Sequence, residues 1–163
     1  IISYSDIIYN SKLLQELIDS KDDLTIVVDK KWEKLWRLRL GDNILSDAET
    51  LKLNESGHIT ELGKKTDSLD NINGQYIGLL KISKTSINKI VDYYSNLNRD
   101  ILYDGKDFDN MYMTSFVQNI IDNLISAKAL MTNGGWIEID SVADLDSYNS
   151  NKPFIIKYLR REV

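Results

Sequence analysis

Three aspartates end short apolar runs in this chain: Asp6 in "IISYSD", Asp29 in "LTIVVD" and Asp140 in "GWIEID". In open α/β sheets, ligands gather beyond the carboxyl ends of strands. A hard divalent cation such as Mg²⁺ takes carboxylate oxygens, often only two from the protein, and fills its octahedron with waters and phosphates. Two strand-end aspartates from distant positions could meet to hold such an ion. The ordinary alternative is that each caps a helix or solvates a turn. If 136–139 is a strand, its period of two puts Trp136, Glu138 and Asp140 on one face and Ile137 and Ile139 on the other. Two acids in a row on one face, backed by apolar residues, suit the rim of a site as well as a surface.

Other chemistries find little support. There is no cysteine, hence no disulfide, thiolate site or zinc knuckle. The single histidine, His58, adjoins an expected turn and has no partners for a triad. No glycine-rich phosphate-loop or dinucleotide fingerprint occurs. Lys64 and Lys65 follow a glycine in "ELGKK", where they could neutralise phosphate or simply face solvent. Trp32, Trp36 and Trp136 read first as packing residues, with an aromatic cage for a quaternary ammonium as the functional alternative.

Bulk properties narrow the partners. The chain has 163 residues, enough for one domain with a real core, and a net charge of −5. That charge argues against a general nucleic-acid or anionic-membrane binder, not against a small anionic substrate. No apolar run is long enough for a membrane span. The start, "IISYSDIIYN", has neither a signal-peptide pattern nor an initiator Met. A cytoplasmic location and a piece of a longer protein are the expectations.

The elements that must position these residues alternate. Residues 1–5 predict a short interior strand. Leu13, Leu14, Leu17 and Ile18 mark one helical face, with Ser11 as its cap. The run 24–29 predicts a strand covered on both faces, paired in parallel with 1–5 across the helix. Residues 30–40 predict a helix with Trp32, Leu35 and Trp36 inward. Runs 49–54 and 58–62 flank "NESG" as a hairpin. A strand over 74–83 precedes a helix striped by Ile87, Ile90, Val91, Tyr94 and Leu97. The strongest helix pattern carries Met113, Phe116, Val117, Ile120, Ile121 and Leu124. "AKALMT" and 136–139 complete the strands. Ser141 with Asp144 predicts an acidic capping box for the next helix, and the tail 149–163 is basic and partly apolar. The pattern is an α/β fold with a mixed sheet.

Six segments occur in an order that resembles one family: "ISYSDII", "IVVDKKW", "ELGKK", "GQYIGLLKIS", "MTSFVQNII" and "GWIEIDSVADL". Together they resemble the sugar-nucleotidyltransferase-like cytidylyltransferases, over roughly residues 1–148. The likeness points to the branch with phosphocholine cytidylyltransferase and the nucleotidyltransferase domains linked to phosphonate synthesis. "SYSDI" is similar to that branch's "SYGDI", and "GWIEIDSVADL" to its "GWIEID-x-x-x-DL". The resemblance implies a Rossmann-like fold and transfer of a nucleotidyl group, from CTP above all, to a phosphate or phosphonate with release of pyrophosphate. It implies Asp6 and Asp140 as Mg²⁺ ligands and Lys64 or Lys65 near a phosphate. Trp136 and Glu138 neighbour the acceptor by position.

The family begins with a glycine-rich nucleotide loop that this sequence does not contain. The chain is therefore expected to be the C-terminal portion of a nucleotidyltransferase domain, 1–163, lacking the nucleotide-loop unit and inactive by itself. Its first strand should be left with an uncovered edge, and a homodimer is one way to cover it. The competing expectation is a non-catalytic α/β interaction or dimerisation module, with the hairpin and tail as contact surfaces.

Overall fold

The computed structural model describes all of residues 1–163. Its strands are β1 (Ile2–Ser3), β2 (Ile7–Tyr9), β3 (Leu24–Asp29), β4 (Glu49–Leu53), β5 (His58–Lys65), β6 (Gln75–Ile82), β7 (Ala127–Thr132) and β8 (Trp136–Glu138). Its helices are α1 (Ser11–Asp19), α2 (Trp32–Leu40), α3 (Ile87–Ser95), α4 (Met113–Asn123), α5 (Val142–Ser150) and α6 (Lys152–Leu159). Six strands form a mixed sheet in the order β1-β6-β3-β7-β5-β4, and β2 pairs with β8 in a separate two-stranded ribbon.

The sheet is built around β3, whose six residues are all buried. Val27 points into one core with Leu13, Leu17, Leu35, Trp36 and Trp136. Ile26 and Val28 point into the other, with Leu51, Leu80, Val117 and Ile120. That alternation explains the unbroken apolar run: both faces of the strand are covered. β3 pairs in parallel with β7 and antiparallel with β6, so the sheet is mixed as expected. The hairpin also stands, with Gly57 at φ 73° in the "NESG" turn.

The expected direct pairing of the first strand with β3 is overturned. β6 lies between them, antiparallel to both. The two strands run in the same direction, as the α1 crossover requires, but an antiparallel strand from later in the chain is inserted. Nor is residues 1–5 one interior strand: only Ile2–Ser3 join the sheet, at its outer edge, and Ile1 and Ile2 are exposed. The chain then turns at Ser5–Asp6 and re-enters as β2.

Local readings need smaller corrections. Asn10, not Ser11, caps α1, accepting from Leu13 N at 2.8 Å. Of the α3 stripe only Ile90 is buried, while Ile87, Val91 and Tyr94 are exposed, because helical period defines a face but not whether anything covers it. The capping box of α5 forms as expected. The tail becomes α6, with Pro153 in its first turn, and inserts Ile155 and Tyr158 into the core. No helix is long and apolar enough to cross a membrane.

Candidate functional site

The ribbon brings the distant acids together. β2 and β8 run antiparallel with Ile7 opposite Glu138 and Tyr9 opposite Trp136. Asp6 immediately precedes one strand and Asp140 closely follows the other; Ile139 N donates to Asp6 O at 2.9 Å. One carboxylate oxygen each from Asp6, Glu138 and Asp140 lie within 4.8 Å of one another. The sequence expected these aspartates to meet through parallel strands; they meet at the open end of an antiparallel pair.

Next to this cluster lies a cleft of about 240 Å³. Glu138 and Asp140 form one wall, Asp47 and Glu49 another, and Tyr4, Trp36, Tyr76 and Tyr112 supply aromatic surface. Tyr4 and Tyr76 meet edge to face, with ring centroids 5.7 Å apart. Gly78, at φ 75°, makes this contact attainable: a Cβ there would stand 2.5 Å from Tyr4 Cγ.

A second hollow of about 510 Å³ adjoins the first through Asp47, Glu49 and Tyr112, and Lys64 and Lys65 line it. The lysines lie at the end of β5. Gly63, at φ 83°, carries a bulge opposite β4 that redirects them. Lys64 Nζ pairs with Glu61 at 3.3 Å. His58 begins β5 and takes no part in either hollow.

Two candidates fall away from the site. Trp136 is 1% exposed and belongs to the core beside Trp36, at a centroid distance of 6.0 Å, so it does not line the cleft. Its Nε1 donates to Asp29 Oδ2 at 2.9 Å. Asp29 is fully buried and also accepts from Gly134 N at 2.9 Å, Lys31 N at 2.8 Å and the Tyr158 hydroxyl. It ties β3 to β8 and α6 and has no free oxygen for a ligand.

The sequence reading passed over Arg39. Its side chain is 3% exposed and donates to Glu138, to Asp140 and, at 2.9 Å, to Asp144. The signal was present: Arg39 stands three residues after Trp36 and four after Leu35, continuing the inward stripe of α2. A basic residue on a buried face requires acidic partners. Burial opposes the charge on Arg39, but the acids around it hold its pKa above the usual value.

Burial pushes the Glu138 carboxyl up to about 7, with Arg39 pulling it down and Asp140 pushing it up. A carboxyl raised in the folded state binds protons more readily than in the unfolded chain. Its ionisation therefore erodes stability as pH rises from about 4.5 to about 7. In EDTA, wild type should lose up to about 2 kcal/mol relative to Glu138→Gln over that window, a figure reduced because part of the side chain is solvated. Urea midpoints of both proteins across pH 4 to 8 check this; parallel pH profiles would refute it.

The chain is 51% identical over 146 residues to the CTP:phosphoglutamine cytidylyltransferase of Campylobacter jejuni, covering 90% of the chain and 57% of that relative. It superposes on the inositol-1-phosphate CTP transferase of T. maritima with a TM-score of 0.61 at 18% identity, over 95% of the chain and 54% of that protein. The chain has a nucleotidyltransferase-type α/β fold. The chain spans little more than half the length of the proteins it matches. No family model matches it.

Proposed function

We propose that the protein transfers a cytidylyl group from CTP to a small phosphorylated acceptor and releases pyrophosphate. The observation that carries this is the convergence of Asp6, Glu138 and Asp140 beside a cleft, in a chain half identical to a cytidylyltransferase. Three carboxylates and no His or Cys suit a hard cation, and Asp6 and Asp140 are its ligands in this reading, Mg²⁺ being the ion. When bound, such an ion neutralises charge on the reacting phosphates. Asp6, exposed and without a side-chain bond, is free to turn toward it. Lys64 and Lys65, in the adjoining hollow, supply positive charge to a phosphate group. Asp47 and Glu49 line both hollows.

The acceptor follows from the cleft's chemistry. Its lining has four carboxylates, four aromatic side chains and no Lys or Arg. Such a lining fits an ammonium group. Phosphocholine, 2-aminoethylphosphonate and phosphoglutamine all carry one; a sugar phosphate does not. Glu49→Gln should therefore raise KM about tenfold for ammonium-bearing acceptors and leave any sugar-phosphate turnover unchanged. Equal effects on both classes would remove the ammonium assignment.

The decisive experiment offers CTP and these four acceptors to the full-length protein and follows pyrophosphate. Mg²⁺-dependent release with at least one of them is the expected result. Absence of release with all, with folded protein and CTP bound, would overturn the reading.

A further inference from the structure

Arg39 sits in the last turn of α2, with its side chain buried against the acid cluster. Every guanidinium nitrogen is engaged: Nε with Asp144 Oδ1, Nη1 with Glu138 Oε2 and Nη2 with Asp140 Oδ2. Its plane lies over the Trp36 ring, 5.3 Å from the centroid. Glu138 and Asp140 each give Arg39 an oxygen, and each also offers an oxygen that lies within 4.8 Å of one from Asp6. Asp144 adds a second hold. Its Oδ2 accepts from Asp140 N at 3.1 Å and Ser141 N at 2.9 Å, so the arginine fixes the backbone under Asp140 as well as its side chain.

We propose that Arg39 is a positioning residue for the cation-binding carboxylates. This rests on the cation reading given above. Arg39 is not a catalytic residue: at 3% exposure, and absent from the cleft lining, it touches no substrate. It holds the proposed ligand Asp140, and Glu138 beside it, by an ion pair each, so the placing of both carboxylates against Asp6 depends on it. Partners that bind the ligating carboxylates from behind change metal affinity by roughly 10- to 100-fold when removed. The planar fork is essential, because two carboxylates and a cap must be held at once, which an ammonium cannot do.

Binding of Mn²⁺ alone to the full-length protein, read by the EPR signal of the free ion, tests this beside thermal melting and the Mg²⁺ dependence of turnover. Arg39→Gln and Arg39→Lys should each bind Mn²⁺ about 10- to 100-fold more weakly, with the half-saturating Mg²⁺ concentration raised in step and turnover largely recovered at saturating Mg²⁺. Should the Gln variant not fold, the Lys variant, which keeps the charge, carries the test. Folded Arg39 variants with unchanged or tighter Mn²⁺ binding, while Asp6→Asn and Asp140→Asn lose it, would overturn the positioning role alone. Wild-type Mn²⁺ binding in Asp6→Asn and Asp140→Asn would overturn the cation reading and this inference together.

Discussion

In the full-length protein, Asp6→Asn and Asp140→Asn should each lower pyrophosphate release by roughly a hundredfold or more. A cation that neutralises the reacting phosphates supplies several kcal/mol, and each ~1.4 kcal/mol is tenfold in rate. The substitution keeps the size of each side chain and removes only its charge. Stability should separate the two. Asp6 is exposed and makes no side-chain hydrogen bond, so its variant should melt with the wild type. Asp140 is bonded to the buried Arg39, and its variant should lose about 1 kcal/mol. Turnover on a Mg²⁺ titration, with melting temperatures in parallel, makes the measurement. Wild-type turnover in both would remove these residues from the site.

The largest effect on stability belongs to Asp29→Ala. Four donors end on this fully buried carboxylate: the Gly134 and Lys31 amides, the Trp136 indole and the Tyr158 hydroxyl. Burial and the neighbouring aspartate hold the Tyr158 hydroxyl well above its usual pKa, so it remains a donor. Removing the acceptor strands several donors away from water at about 1–3 kcal/mol each. The loss should reach at least ~4 kcal/mol, a large share of the 5–15 kcal/mol that holds an ordinary domain together. Urea unfolding should show a much earlier midpoint, and α6 should detach first because Tyr158 and the Gly135–Tyr158 bond anchor it. A change under 1 kcal/mol would mean that the buried network is not built as described. Asp29 and Asp140 thus end similar apolar runs in the sequence but are expected to fail in opposite ways, one in folding and one in turnover.

That contrast shows where local pattern stops. Period and punctuation determined most elements of this chain: the strand at 24–29, the hairpin around "NESG", the helix expected over 30–40 and found at Trp32–Leu40, and the capping box of Ser141 with Asp144. Each depends on residues within a few positions, where side-chain direction follows from backbone geometry alone. The ordered motifs also singled out Asp6 and Asp140, and the structure brings them together with Glu138. Three things were decided only by the tertiary structure. β6 slipped between the first strand and β3, because strand order is set by which faces remain to be covered after the whole chain has turned. Asp29 was drawn into the interior because Trp136 and Tyr158, more than a hundred residues away, bring donors to it. Arg39 became the support of the acid cluster because Glu138, Asp140 and Asp144 arrive opposite it on β8 and α5. A charged side chain in a sequence announces that it needs a partner; which partner, and whether the pair faces substrate or core, depends on contacts that exist only once the sheet has closed.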